Sequence, residues 1–440
     1  MSSVTLTVLC GTSLLGAIAG TIGAWSVLRR QALAGDLISH AALPGICLAY
    51  WFTGERDYGT LLIGAMTTGL LSVLLVSYLT RRTRTKDDAA IGIVLSVFFS
   101  LGVVGLSLIQ RDPRLSRQSA GLATFALGQA ANLSTGDLWW IGGVGGTALA
   151  IMLLCYKEFK LLSFDVNFAR SLGLPILTLD IALMTCLAAV TVIGIKAAGV
   201  LLSPALLIIP AVTARLWVDQ LGKLLWLAAA IGAVMGCLGT LLTAGEGQAW
   251  LAARGWYTPP ELPTGPVIVL CGAVAFGLSL LLAPQNGVFA RYLRQTQYQH
   301  RIARENFLRA LYELHERQPP RQQTWSRKEL LEWHSWDTSG LERQIALALQ
   351  RGDLRENAAG VAFTEEGLRN AQSVTRAHRL WELFLIQGAN IARDHVDRDA
   401  DGIEHLLSPE LLAELESELR AAGRWPVHDP VPASPHAVQS

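Results

Sequence analysis

The sequence predicts an all-α, polytopic membrane part with about nine transmembrane helices, followed by a soluble part with a winged helix-turn-helix pattern and further helices. Charge and hydropathy carry this prediction. Residues 1–290 contain 17 Lys and Arg and 13 Asp and Glu, whereas residues 291–440 contain 19 and 22. The chain of 440 residues is 51% hydrophobic and only 16% charged, which is too few charges for an entirely water-facing surface. The composition therefore excludes an ordinary soluble enzyme and a disordered chain.

The spans follow from the length of the apolar segments, since a transmembrane helix needs about 20 mostly apolar residues. The first apolar segment lacks the basic region that opens a signal peptide, and Arg29 and Arg30 follow it instead. Nine segments qualify as spans: 4–27, 32–53, 59–80, 89–110, 136–155, 176–195, 197–215, 222–243 and 265–285.

Lys and Arg predict the orientation, because they are enriched in loops on the inner side of the membrane. An outside N-terminus places the larger group inside: Arg29, Arg30, Arg81, Arg82, Arg84, Lys86, Lys157, Lys160, Arg170, Arg215, Lys223, Arg291 and Arg294. The outer loops then hold Arg56, Arg111, Arg114, Arg117, Lys196 and Arg254. We therefore expect a multi-pass membrane protein with its N-terminus outside and its C-terminal part in the cytoplasm.

Two polar residues stand out near the start of the second span, in the segment GDLISHAALPG. Asp36 and His40 are four residues apart and so share one helix face, and Pro44 can kink the helix just beyond them. Charges in a span are costly and indicate function, and a carboxylate with an imidazole suits Mn²⁺, Fe²⁺ or Zn²⁺. Alternatively, Asp36 caps the helix and His40 bonds to a neighbouring helix. His40 is the only histidine in residues 1–290.

Several segments in order carry a resemblance to bacterial ABC-type permeases for manganese, zinc and iron. The segment LRRQALAGDLISHAALPGICLAYWFTG resembles the family signature, and the resemblance covers nearly all of residues 1–290. It implies that Asp36 and His40 line the metal pathway. The matching segments are 28–54, 91–109, 164–175 and 199–217.

The segment FDVNFARSLGLP is a short polar, amphipathic stretch that Gly173 and Pro175 close. The family resemblance implies that it couples the permease to an ATPase through Asp165, Arg170 and Gly173; an ordinary connecting loop is the alternative. No GxxxxGK[ST] motif occurs in the chain, so we expect no ATP hydrolysis by the chain itself. The implied partners are a separate ABC ATPase, a periplasmic or extracellular metal-binding protein, and a second copy or sister permease.

The soluble part starts with helix candidates at 304–316, 326–336 and 337–353, followed by two short extended pieces in 354–367. Apolar stripes run along the first candidate, at Phe307, Leu311 and Leu314, and along the third, at Leu341, Ile345 and Leu349. Helix, helix, helix, wing is the order of a winged helix-turn-helix. Such domains bind DNA or serve as protein-contact modules. A net charge of −3 in residues 291–440, from 19 basic and 22 acidic residues, opposes DNA binding. The candidate DNA contacts are Arg327, Lys328, Arg343 and Arg355.

Ligand-type side chains recur over residues 375–415 at spacings of three and four, which place them on common helix faces. Nitrogen and oxygen ligands of this kind suit Mn²⁺ or Fe²⁺, although a solvated charged face has a similar pattern. The residues are His378, Glu382, Asp397, Asp401, Glu404 and His405.

This segment resembles the dimerisation and metal-sensing half of the diphtheria-toxin-repressor family, the iron- and manganese-dependent repressors. The preceding winged helix is similar to their DNA-binding half, and the match covers about residues 301–416. The resemblance implies that the six residues above are metal ligands, with Asp397 where an ancillary His usually sits. Asn306 and Arg309 depart from the family, which has a Met or acidic ligands there. The positive charge of Arg309 would repel a metal ion bound at its position.

We therefore expect a metal permease fused to a metal-responsive regulatory domain, with Mn²⁺ or Fe²⁺ favoured over Zn²⁺. The tail is either a transcriptional repressor or a sensor that inhibits transport in cis without touching DNA. A siderophore or vitamin permease, with a wider path and no role for His40, is a further alternative. The predicted regions are a transmembrane domain at 1–286, a linker at 287–303, a winged helix-turn-helix at 304–370, a helical metal-sensing and dimerisation segment at 371–420, and a disordered tail at 421–440.

Overall fold

The computed structural model describes residues 3–54, 57–112, 130, 133–200, 202–254, 262–317, 324–334, 336–387, 409–421 and 431. The chain divides into two compact units, Met1–Arg291 and Tyr292–Ser440. The predicted disordered tail lies almost entirely outside the described residues.

The first unit is all-helical where it is described. Apolar runs form its helices, and charged or Gly- and Pro-containing turns separate them. Its helices are α1 (Ser3–Leu28), α2 (Ala34–Thr53), α3 (Tyr58–Arg82), α4 (Asp87–Arg111), α5 (Thr135–Leu154), α6 (Tyr156–Phe164), α7 (Val166–Ser171), α8 (Ile176–Ala198), α9 (Ser203–Trp217), α10 (Leu221–Thr243), α11 (Gly245–Ala253) and α12 (Thr264–Leu282).

Seven helices in the described ranges are long and apolar enough to cross a membrane, so the predicted count of nine spans is not confirmed. The other two predicted spans coincide with α2 and α9. Helix α2 has 20 residues but is less apolar, because it carries Asp36, His40 and Pro44. Helix α9 has 15 residues, about 22 Å at 1.5 Å per residue, which is shorter than the hydrocarbon core of a bilayer.

Helices α1 and α8 lie in the interior of the first unit. Of the seven apolar helices, these two have the largest share of buried residues. The rings of Trp25 on α1 and Tyr50 on α2 are completely buried. The outward faces are also apolar, with Phe52, Trp139 and Trp226 more than four-fifths exposed. A surface of this kind suits lipid rather than water.

Helix α2 approaches its neighbours through glycines. A Cβ atom built on Gly45 of α2 would lie 2.0 Å from the carbonyl oxygen of Gly64 on α3. One built on Gly102 of α4 would lie 2.6 Å from the Cβ of Leu43 and 3.1 Å from Pro44. Small residues at such crossings bring membrane helices into backbone contact, where dispersion replaces the missing hydrophobic effect. Glycines therefore determine where the polar face of α2 lies.

The second unit combines helices with one small antiparallel sheet. Residues 287–303, predicted as a linker, are helical from Val288 onward, because no Pro or Gly interrupts the chain there. The elements are α13 (Val288–Arg317), α14 (Arg327–Trp333), α15 (Thr338–Gln350), β1 (Leu354–Asn357), β2 (Gly360–Phe363), α16 (Glu365–Gln387) and α17 (Pro409–Ala421).

The core of this unit follows the predicted stripes. Phe307, Leu311 and Leu314 of α13 are buried, as are Leu341 and Ile345 of α15. The two strands pair from Leu354 with Phe363 to Asn357 with Gly360. Trp325, fully buried, exchanges two backbone hydrogen bonds of 2.9 Å with Val361 and so ties the segment before α14 to β2.

Substitution of Gly45 by Val tests the close approach of α2 to α3. The new side chain would collide with the Gly64 carbonyl, so we expect a loss of about 1–3 kcal/mol of stability, the usual cost of overpacking. Thermal unfolding of the purified chain in detergent measures the loss. The matched control is Gly92→Val on α4, where no atom lies within 4 Å of the built Cβ. Equal melting of the two variants would contradict the packing described above.

Candidate metal-binding sites

The first candidate site lies on α2, where helical geometry brings Asp36 and His40 together. The Nε2 atom of His40 is 3.5 Å from Oδ1 of Asp36. The imidazole is 12% exposed and the carboxylate 41% exposed. The Nδ1 atom of His40 is buried and has no hydrogen-bond partner among the described residues. The alternative in which His40 bonds to a neighbouring helix through Nδ1 is therefore not what is observed.

The surroundings of His40 hold its ring in place. Phe99 of α4 meets the ring edge-on, with the two centroids 5.1 Å apart. Ser39 donates its hydroxyl to the carbonyl of Gly35 at 2.9 Å, so it turns back onto its own helix. Pro44 has no N–H to give to the carbonyl of His40 one turn earlier. One face of α2 thus presents a carboxylate, an imidazole and a carbonyl without its usual helical donor.

Two ion-pair clusters at the ends of α8 were missed by sequence reasoning. The Nζ atom of Lys196 lies 2.6 Å from each carboxylate oxygen of Asp137, and the Asp137 side chain is 5% exposed. At the other end, Asp180 lies 3.0 Å from Arg29 and 3.9 Å from Arg81. The signal was available, because charges adjoining or within apolar spans need partners, but Lys196, Arg29 and Arg81 were counted only as loop charges.

The predicted coupling segment forms the short helix α7. Asp165 caps it by accepting a hydrogen bond from the Phe168 N–H at 2.9 Å. Gly173 ends the turn with φ of +75°, in the left-handed region that glycine adopts readily. Arg170 is exposed. Exposed apolar side chains accompany these residues: Phe164, Phe168 and Leu172.

The second candidate site lies in the second unit, on α16. His378 and Glu382 are buried, with 3% and 2% of their surface exposed. Nε2 of His378 is 3.2 Å from Oε1 of Glu382. The other predicted ligands lie outside the described residues: Asp397, Asp401, Glu404 and His405.

Arg309 of α13 contacts this pair directly. Its Nη1 atom is 2.6 Å from Nδ1 and 3.1 Å from Nε2 of His378, and its Nε atom is 4.0 Å from Glu313. Asn306, one turn earlier, has a buried Oδ1 atom without a hydrogen-bond partner among the described residues. The described residues include no cluster of three or more His, Cys, Asp or Glu that could hold a metal ion.

Asp353, just before β1, forms hydrogen bonds with both α13 and α16. Arg304 of α13 donates two hydrogen bonds, of 2.7 and 2.6 Å, to the buried carboxylate of Asp353, and Asn370 of α16 donates a third at 3.0 Å. Burial alone would raise the pKa of Asp353, but these bonds and the charge of Arg304 outweigh it and lower the pKa below its usual value.

The candidate DNA contacts differ in their surroundings. Arg327 donates to Glu342 of α15 at 2.7 Å and to Glu356 of β1 at 2.9 Å. Lys328 lies 3.9 Å from Glu332. Arg343 and Arg355 are exposed. The basic side chain at the start of α14 is thus neutralised by two carboxylates on neighbouring elements.

The described part of the first unit, all-helical with apolar outer faces, is typical of an integral membrane protein. Residues 1–283 match the model of the ABC 3 transport family, and the chain belongs to this family. Residues 364–433 match the model of the iron dependent repressor, metal binding and dimerisation domain. Both predicted family resemblances are therefore confirmed.

The chain is also similar to individual named proteins and to a solved structure. The manganese transport system membrane protein MntC of Bacillus subtilis is 39% identical over 310 residues, which are 70% of this chain and 68% of the relative. The zinc transport system membrane protein TroC of Treponema pallidum is 38% identical over 288 residues, 66% of this chain and 92% of the relative. The solved structure of PsaBC from Streptococcus pneumoniae in complex with Fab is similar, with a TM-score of 0.56 at 28% identity, covering 67% of this chain and 96% of that one.

The lowered pKa of Asp353 predicts how the second unit responds to acid. Its pairing stabilises the fold above the unfolded pKa of about 4 and is lost as pH falls through the lower folded value. We expect Asp353→Asn to cost about 2 kcal/mol at neutral pH, and the cost to shrink below pH of about 4. Hydrogen-exchange mass spectrometry of peptides from 353–370 in the full chain, corrected for intrinsic rates, measures it. The exposed Glu332→Gln serves as control. A cost that does not change with pH would contradict the assignment.

Proposed function

We propose that the chain is the permease subunit of an ATP-driven importer for Mn²⁺ or Fe²⁺, with Zn²⁺ less favoured, in a bacterial plasma membrane. The observation that carries the proposal is the Asp36–His40 pair, with a buried imidazole Nδ1 atom that has no hydrogen-bond partner among the described residues. A nitrogen and a carboxylate oxygen on one face suit a divalent transition metal. The relatives named for manganese and zinc transport support the same substrate class.

A second permease is expected to complete the path. Asp36 and His40 supply two ligands, whereas these metals take four to six, and no larger ligand cluster occurs in the described ranges. A facing copy or sister subunit would contribute a second pair, and water the remaining ligands. Metal would reach this point from an external binding protein. The N-terminus outside and the second unit inside agree with the distribution of Lys and Arg.

We assign coupling to the surface around α7. A partner ATPase needs a firm surface through which its closure moves the permease helices. Asp165 and Gly173 define the ends of this turn, and Arg170 offers a charge beside Phe164 and Phe168. Exposed aromatic side chains and an arginine are enriched in protein interfaces, which supports the assignment of ATPase docking here.

The tail is proposed to be a regulatory domain with the winged helix-turn-helix order, in which α13, α14 and α15 precede the β1–β2 wing. The charges favour an action on transport in cis over an action on DNA. Residues 291–440 carry 19 basic and 22 acidic side chains, and Arg327 is bound by Glu342 and Glu356. Phosphate neutralisation requires basic groups that are available to DNA.

Substitution of His40 by Ala or of Asp36 by Asn tests the pathway. We expect uptake of radioactive Mn²⁺ by the assembled transporter in proteoliposomes to fall by at least about tenfold, as loss of groups around a metal commonly causes. The control Ser39→Ala alters a neighbour that bonds only to its own helix and should retain uptake. Unchanged ATPase activity would show that the variants assemble. Normal uptake by His40→Ala would refute the assignment and would favour a permease for a larger, chelated substrate.

Deletion of residues 297–440 tests the tail. If the tail acts in cis, high Mn²⁺ on the inner side should inhibit transport by the full chain, and the deletion should abolish that inhibition. Arg327→Ala should retain the inhibition, because a cis-acting tail has no need of a DNA contact. Metal-dependent retention of DNA from upstream of its own gene by the full chain in nanodiscs would support the repressor alternative instead.

A further inference from the structure

The His378–Glu382 corner of the second unit belongs to a segment that matches a metal-binding domain, yet a side-chain cation already lies there. We propose that the guanidinium of Arg309 replaces the metal ion at this corner, so that the corner is a permanent ion-pair clamp and not a metal site. The proposal concerns residues of the tail alone and does not depend on metal import by the first unit.

The hydrogen bonds explain why the imidazole is not available to a metal. The Nη1 atom of Arg309 lies 2.6 Å from Nδ1 and 3.1 Å from Nε2 of His378, so one positive group lies against both ring nitrogens. The Nε2 atom also faces Oε1 of Glu382 at 3.2 Å. A metal needs one of the two ring lone pairs. In this arrangement the guanidinium lies within 3.1 Å of both nitrogens, so its positive charge opposes a metal ion at either of them.

Among the described residues, the corner already holds a cation and a buried carboxylate. Glu382 is 2% exposed and His378 3% exposed, and a carboxylate buried to this degree needs a cation nearby. Arg309 lies within hydrogen-bonding distance of the imidazole that Glu382 contacts. A divalent ion placed there would meet a fixed positive charge at close range, so the residues that are present do not fit a metal at this corner.

The same two helices are joined elsewhere by further charges of the protein. Arg379 of α16 donates to Glu316 of α13 at 3.0 and 2.5 Å. Arg304 of α13 and Asn370 of α16 both donate to Asp353. The α13–α16 contact therefore has three polar clamps that need no metal. A metal response of the tail would have to come from the predicted ligands between Asp397 and His405.

Mn²⁺ binding to the full chain in detergent, followed by the electron paramagnetic resonance signal of free Mn²⁺, tests the proposal. His378→Gln and Glu382→Gln should leave the number of Mn²⁺ ions bound per chain unchanged and their affinity within twofold of the unsubstituted chain. Arg309→Glu should bind one further Mn²⁺ ion, and the double variant Arg309→Glu with His378→Gln should lose it again. Loss of one ion per chain, or a tenfold weaker affinity, in either single glutamine variant would overturn the proposal.

Thermal unfolding gives a second test that does not require Arg309→Glu to fold well. Arg309→Met removes the resident cation and should enlarge the Mn²⁺-dependent rise in the melting temperature of the tail beyond that of the unsubstituted chain, whereas Arg309→Lys keeps a cation and should not enlarge it. Arg379→Met is the matched control, because it removes a buried arginine of the same helix pair away from the corner. A Mn²⁺-dependent shift of equal size in the unsubstituted chain and in Arg309→Met would contradict the replacement of metal by Arg309.

Discussion

The close approach of α2 to α3 and α4 is the constraint on which the proposed pathway depends. Gly45, Gly64 and Gly102 remove the side chains that would keep these backbones apart, so α2 can be held in the interior although it carries an acid, a histidine and a proline. This contact, together with the packing of α2 on α8 and α9, orients the Asp36–His40 face. Packing among small residues thus supports a polar feature that lipid alone would expel.

Buried charges serve two different ends in this chain. Lys196 with Asp137, and Arg304 with Asp353, are paired closely enough to satisfy both partners, which suits a structural role. Asp36 and His40 are 3.5 Å apart, and the imidazole retains a buried nitrogen without a hydrogen-bond partner in the described part of the chain. A buried nitrogen without a hydrogen-bond partner is energetically costly, and a metal ion that binds transiently would offset that cost. Arg309 is the converse case, in which the protein supplies the cation itself.

Hydropathy and periodicity predicted a helix at each of the nine apolar segments and the buried stripes of α13 and α15. They also predicted that α2 and α9 span the membrane, and this is not confirmed, because Asp36 and His40 make α2 less apolar and α9 has only 15 residues. The Asp36–His40 pair was predictable because one helix turn brings it together. The need of Lys196 for a partner was predictable, but Asp137 as that partner was not, since 59 residues separate the two and only packing joins them. Arg309 was recognised as an obstacle to metal, but its contact with His378 depends on how α13 meets α16.

The central claim is that His40 ligates the transported ion. Electron spin echo envelope modulation of Mn²⁺ bound to the assembled transporter detects nitrogen atoms that coordinate the metal. The difference between the spectra of the unsubstituted chain and His40→Gln isolates the contribution of this one imidazole. The account predicts that the nitrogen modulation of pathway-bound Mn²⁺ disappears in His40→Gln. Identical nitrogen modulation in the two proteins would contradict it.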